Sequence, residues 1–170
     1  ITITEDDKYG VVDCNNQKVL ENKYQDIKSL TENGIDVVKE NNNWELVQSN
    51  RELKLSEGLQ NVQDILEIKK GNIIIKNTSN KVGVISSEGE TILNTVYDNV
   101  KFAFTGSYII EQKGKYGIAK SKDEIVVNPT YTTMNYISTA DIIEASEDGI
   151  TSNLLNSNFE IKLTGIVTEI

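Results

Sequence analysis

The stretch Asn80–Lys101, NKVGVISSEGETILNTVYDNVK, has near copies at Asp7–Lys28, DKYGVVDCNNQKVLENKYQDIK, and at Gly114–Asn135, GKYGIAKSKDEIVVNPTYTTMN. Self-similarity at a regular period decides the architecture before any single motif does. Aligned on an aromatic-Gly dipeptide or its equivalent, the chain has five anchors, Gly10, Glu45, Gly83, Gly117 and Gly149, spaced by 35, 38, 34 and 32 residues. Ten residues after each anchor stand Leu20, Leu55, Leu93, Val127 and Phe159. Fourteen after it stand Tyr24, Leu59, Tyr97, Tyr131 and Leu163, and seventeen after it Ile27, Val62, Val100, Met134 and Ile166. Three unbroken apolar columns mark a fixed scaffold. The length variation falls between the third column and the next anchor, where loops tolerate insertions that paired strands do not.

Within a unit, short bursts of β-forming residues alternate with turn residues. Across the third and fourth anchors these bursts are VYDNVKF, SYIIEQ, YGIAKS and IVVNPT, read as strands A, B, C and D. The B–C connections (EDDK, ENNN, NTSN, QKGK, SED) and C–D connections (NNQ, NRE, SEGE, SKDE, NSN) have the Asn, Asp, Gly and Ser that tight hairpins require. A glycine at the head of strand C leaves room for close approach of a neighbour. The expected fold is all-β: one repeat domain over residues 1–170, built as a five-bladed β-propeller with four short strands per blade. The alternative is an open β-solenoid or meander array. Because the chain starts inside a strand B (ITITEDD), the tail GIVTEI, Gly165–Ile170, is expected to act as a strand A that completes the first blade.

The motifs KYGVVD, NWELVQ, KVGVIS and KYGIAK, each followed by YQDI, LQNV, YDNV or YTTM, resemble the bacterial WG repeat, also called the KWG repeat. Tyr9 and Tyr116 stand where that family has tryptophan, and Trp44 stands without its glycine. The resemblance implies a tandem all-β module, frequent on exported or surface-anchored bacterial proteins, with no catalytic residues to carry over.

A net charge of −9 and a pI near 4.6 repel phosphate backbones and anionic lipid, which argues against nucleic acid as a partner. No apolar run reaches the ~18 residues of a membrane-spanning helix. The chain opens at Ile1, not at methionine, and reads as an excised segment whose targeting sequence lies elsewhere. The lone Cys14 reads as a small strand residue.

With no histidine and one cysteine, zinc, copper and haem lack ligands, and a Ser or Cys nucleophile lacks its usual base. No metal and no cofactor is expected. The acidic clusters Glu5–Asp7 and Ser146–Gly149 lack the spaced ligands of a calcium loop and read as solvated turns. A glycan-active propeller would need two carboxylates across a funnel. Its candidates are Asp13, Asp26, Asp36, Asp64, Asp98 and Asp141, of which Asp26 and Asp98 are read as one repeat column after its tyrosine and suit a turn or cap role repeated by duplication. Tyr9, Trp44 and Tyr116 share a column and read as packing between blades, with Trp44 the one weak candidate for an exposed binding aromatic. The expected function is therefore a non-enzymatic binding or scaffold module of a bacterial surface or exported protein, contacting a protein or cell-surface polymer outside the cytoplasm. The alternatives are the glycan-active enzyme and a structural spacer.

Overall fold

The computed structural model describes residues 1–30, 35–48, 59 and 61–167. Leu55, the NRE turn and residues 168–170 lie outside them. Five antiparallel sheets follow one another along the chain. The first contains β1 (Thr2–Glu5), β2 (Lys8–Val12) and β3 (Lys18–Tyr24), and the second β4 (Asp26–Leu30), β5 (Ile35–Glu40) and β6 (Asn43–Gln48). The third joins β7 (Val62–Lys69), β8 (Asn72–Asn77), β9 (Val82–Ser86) and β10 (Thr91–Tyr97). The fourth joins β11 (Asn99–Phe102), β12 (Ser107–Gln112), β13 (Lys115–Lys120) and β14 (Glu124–Tyr131). The fifth joins β15 (Thr133–Ile137), β16 (Ile142–Ser146), β17 (Thr151–Leu155) and β18 (Ile161–Val167). Where four strands are described, they run in the order A-B-C-D, and Asn80–Lys101 is the C-D-A passage from one sheet into the next.

Turn chemistry sets the hairpins. A two-residue type I′ turn needs positive φ at both central residues. Asp6 and Asp7 (49° and 56°), Asn41 and Asn42 (51° and 66°), and Lys113 and Gly114 (52° and 72°) supply it at three B–C turns. The passage from one sheet to the next is a single residue, Gln25 between β3 and β4, Asp98 between β10 and β11, and Thr132 between β14 and β15.

The contacts divide the chain into two compact units, residues 1–78 with 85–91, and residues 79–84 with 92–170. In the first unit, Leu20 and Tyr24 pack with Val38 and Val47, and a larger cluster gathers Val37, Trp44 and Leu46 with Leu59, Val62, Ile65, Ile73 and Ile75. In the second, Ile109, Ile118 and Tyr131 pack with Met134, Ile143, Ala145 and Leu155. Strand C of the third sheet, β9, and strand B of the fourth, β12, each have four consecutive buried residues. Such strands are covered on both faces. Hence the apolar runs VGVI and SYII lack polar alternation.

The fourteenth-residue column is buried at Tyr24, Leu59, Tyr97 and Tyr131, as the repeat predicts. The fifth unit needs correction. Leu163 pairs with Leu154 as Val127 pairs with Ile118 and Leu20 with Val11, so Leu163 belongs to the tenth-residue column and Asn153 is the anchor equivalent. Gly149 lies instead in the β16–β17 turn at φ +78°, and Phe159 in the β17–β18 turn at φ +63°. The sequence Asp148-Gly149 looks like an anchor because hairpin turns and anchors both select glycine. The corrected register also moves the tail: Gly165–Val167 continues β18, where Ser152 faces Ile166 and Thr151 faces Val167, and does not form a strand A. Part of the length variation between the third column and the next anchor lies within a strand. The connection between β7 and β8 is only Lys70-Gly71, while β7 absorbs extra residues as irregularities in its pairing.

Candidate functional site

The exposed B–C hairpins are the best-defined candidate contact elements, and the sheet-to-sheet residue clasps β5–β6 in the first unit and β12–β13 and β16–β17 in the second. In the first unit, Gln25 donates its backbone N–H to the Lys39 carbonyl (2.7 Å), and its side chain accepts from the Asn42 backbone N–H (2.7 Å) and donates to the Asn42 amide oxygen (3.2 Å). In the second unit, the Asp98 N–H reaches the Glu111 carbonyl (2.9 Å), and its carboxylate accepts from the Lys113 N–H (2.7 Å) and from Lys81 Nζ. Thr132 repeats the arrangement, with its N–H on the Ser146 carbonyl, its hydroxyl donating to the Glu147 carbonyl, and Lys115 Nζ donating to that hydroxyl (2.9 Å). Asp98 thus aligns with Gln25 and Thr132, whereas Asp26 aligns with Asn99 and Thr133. The two aspartates are not repeats of one role. The Lys81 ammonium, then the Lys113 amide, hold the Asp98 carboxyl below its ordinary range.

The remaining carboxylates serve their own neighbourhoods. Asp13 accepts the N–H groups of Asn15 and Gln17 (both 2.8 Å) in the β2–β3 turn. Asp64 caps the Ile65 N–H (2.8 Å) and stands 3.5 Å from Lys28 Nζ, while Asp141 accepts the Tyr136 hydroxyl (2.7 Å). Asp26 opens β4 half-buried, and Asp36 lies within β5. Asp148 closes the longer β16–β17 hairpin. It accepts from the N–H groups of Ile150 and Thr151 and from the Thr151 and Ser146 hydroxyls, bonds that favour its ionised form and lower its pKa well below the usual aspartate range. Among the described residues, no three His, Cys, Asp or Glu side chains come close enough together to hold a metal.

The aromatic column is graded. Trp44 is 3% exposed, donates its indole N–H to the Gln63 carbonyl (3.3 Å), and has the Nζ atoms of Lys28 and Lys39 at 5.3 and 5.5 Å from its ring. It packs between the second and third sheets. Tyr116 is half-buried against the second unit's core, and Tyr9 is exposed.

Two further features have no signal in the repeat columns. Asp123, at φ +55° in the β13–β14 turn, accepts the Tyr97 hydroxyl (2.9 Å), the Asn94 N–H (3.1 Å) and the Asn94 side-chain amide. Burial, and next this contact, push the Tyr97 phenol up. Phe104 meets Tyr136 and Phe159 edge-on, with centroids at 5.2 and 5.9 Å, and Lys120 Nζ sits 5.3 Å from the Phe159 ring. Only the fold brings these residues together, because each comes from a different turn or strand.

No family model and no curated protein matches the chain. Solved structures do match. A Kluyveromyces lactis Hsv2 in which loop 6CD is replaced by a Gly-Ser linker is 9% identical at a TM-score of 0.54, the match covering 98% of this chain and 63% of that one. Another structure of Kluyveromyces lactis Hsv2p is 11% identical at a TM-score of 0.53, over 89% of this chain and 54% of that one. The WD40 β-propeller domain of Doa1 is 12% identical at a TM-score of 0.43. The chain spans about three fifths of the length of the first of these structures. The likeness is one of fold: all-β and propeller-like.

Proposed function

We propose that the chain is a non-enzymatic binding module, five propeller-type blades of a WG-repeat protein, which engages a protein or a cell-surface polymer outside the cytoplasm. The observation that carries this reading is that three exposed B–C hairpins, β5–β6, β12–β13 and β16–β17, are each held by a side chain of the sheet-to-sheet residue. Rigid loops on a repeated scaffold lose little entropy when they bind. The candidate carboxylates with described side-chain contacts are spent on turns and neighbouring amides, which supports recognition over hydrolysis.

The test is binding of the purified chain to isolated cell-wall polymer and to purified surface proteins, compared with Asn41→Ala and Lys113→Ala. These substitutions alter exposed turn side chains. A loss of about fivefold or more in a variant supports its hairpin as a contact element. Turnover of a glycan, abolished by one aspartate substitution, would overturn the reading in favour of an enzyme.

A further inference from the structure

We propose that the rings of Phe159 and Tyr136, set against Phe104 at the end of the fourth and fifth sheets opposite their B–C hairpins, form a stacking platform for a neutral pyranose sugar. The inference rests on the binding-module reading and deepens it, naming an uncharged glycan as the polymer and a second site that takes it.

The backbone singles out Phe159. The C–D turns that begin at Asp13, Ser86 and Asn156 are closed alike: a side-chain oxygen of each accepts the N–H groups two and four residues on, and its carbonyl accepts the N–H three residues on. That third residue has a positive φ in every case, 60° at Asn16, 85° at Gly89 and 63° at Phe159. The left-handed region is open to glycine, tolerated by asparagine and strained for a bulky side chain. Among the described residues, the other non-glycine positions of positive φ hold aspartate, asparagine or lysine. The turn itself would form more readily with asparagine or glycine, so the ring and not the turn accounts for phenylalanine here.

Packing fixes the rings without covering them. Phe104 is buried, and its edge-on contacts hold both Tyr136 and Phe159 in place. Tyr136 and Phe159 are themselves only half-buried, so each keeps part of its surface open to solvent. Exposed polar groups border them. Asp141, at φ 51°, accepts the Tyr136 hydroxyl, and the Lys120 ammonium stands beside the Phe159 ring. Glu160, next to Phe159 in the chain, accepts from Lys162 (2.9 Å) and from the Asn156 side-chain amide (3.1 Å).

The chemistry of a sugar matches both parts. A pyranose presents C–H groups on a face, which bury apolar area against an aromatic ring, and hydroxyls at its edge, which both donate and accept. Here ring surface is bordered by a carboxylate that accepts and an ammonium that donates. Charge then selects among sugars. Lys120 and Lys162 balance Asp141 and Glu160, so this border attracts neither sign, and the net charge of −9 repels a polyanion. An uncharged glycan is the polymer that loses nothing on approach. A polypeptide stacking through proline is the competing occupant, and the experiment separates the two.

The experiment titrates the unaltered chain, isotope-labelled at phenylalanine and tyrosine, with cellohexaose, chitohexaose, hexagalacturonate and decaproline. At least one of the two neutral hexasaccharides should shift the ring resonances of Phe159 and Tyr136, a readout that does not depend on any variant folding. Its affinity should change less than about twofold between about 0.05 M and about 0.5 M salt, and hexagalacturonate should bind about tenfold more weakly or worse. Phe159→Asn, which gives this turn the residue that Asn16 supplies in the first sheet, removes the ring and keeps the backbone, and should weaken sugar binding about tenfold. Phe159→Tyr retains the ring and should stay within about threefold of the unaltered chain. No ring shift with either neutral hexasaccharide, tighter binding of hexagalacturonate, or unchanged affinity in Phe159→Asn would each overturn the proposal. So would ring shifts produced by decaproline and by neither sugar, which make a polypeptide the occupant. The variants Asn41→Ala and Lys113→Ala judge the B–C hairpins separately in the polymer and protein assays, so failure at Phe159 leaves that result standing.

Discussion

Gly83 and Gly149 look alike in the sequence and do opposite things. A Cβ on Gly83 would stand 2.7 Å from the Leu93 carbonyl oxygen and 2.8 Å from the Thr95 backbone nitrogen, so the glycine is there for close approach of strand D. Gly149 has open space around it and a φ of +78°, so it is there for the turn. Gly83→Ala should therefore cost about 3 kcal/mol by forcing strands apart, and Gly149→Ala about 1 kcal/mol through backbone strain alone, both read from urea midpoints. Asn22 offers the converse case. Its side-chain amide oxygen and nitrogen are buried with no hydrogen-bond partner among the described residues, and the repeat places Thr95 and Pro129 at the same position. Asn22→Thr should stabilise the chain by about 1 kcal/mol because burying an unbonded amide is costly. A midpoint that falls would refute this reading of the site.

At the scale of elements, the hairpin is the repeating unit of design and its turn decides the acid response. Asp148 closes the β16–β17 turn as a carboxylate, and the donors around it depress its pKa in the folded chain. A depressed aspartate contributes stability above its unfolded pKa, about 3.9, and that contribution is lost as the pH falls through the folded value. The unaltered chain should therefore lose more stability between about pH 6 and about pH 3 than Asp148→Asn does, as denaturant midpoints at the two values will show. The sheet-to-sheet residues act at this scale too. One residue between D and A leaves no slack, and its bonds to the next hairpin fix where the following sheet begins.

For the molecule as a whole, the tyrosines report burial. Tyr97, Tyr108, Tyr116 and Tyr131 are pushed up chiefly by burial, and Tyr136 chiefly by its bond to Asp141. Their neutral forms favour the fold at full strength below the unfolded tyrosine value of about 10, and the benefit is lost as the pH rises through the folded values. Absorbance at 295 nm should thus show tyrosinate forming at higher pH in the native chain than in urea, and Tyr97→Phe should lessen the alkaline loss of stability. Coincident native and urea titration curves would contradict the burial assigned to these side chains.

The sequence by itself determined the period, the strand bursts and the hairpin turns, because these depend on local chemistry: left-handed residues at turns, β-branched residues in strands, and one apolar column per buried face. Tyr24, Tyr97 and Tyr131 could be read as core for that reason. It could not separate a turn glycine from an anchor glycine in the fifth unit, because composition is the same and only strand pairing tells them apart. Tertiary structure alone decided that Leu163 faces Leu154, that Lys28 and Lys39 bring their ammonium groups to the Trp44 ring, and that Asp123 meets Tyr97 and Asn94. Each depends on which strands and turns lie side by side, and a side chain's neighbours across a sheet come from distant parts of the chain.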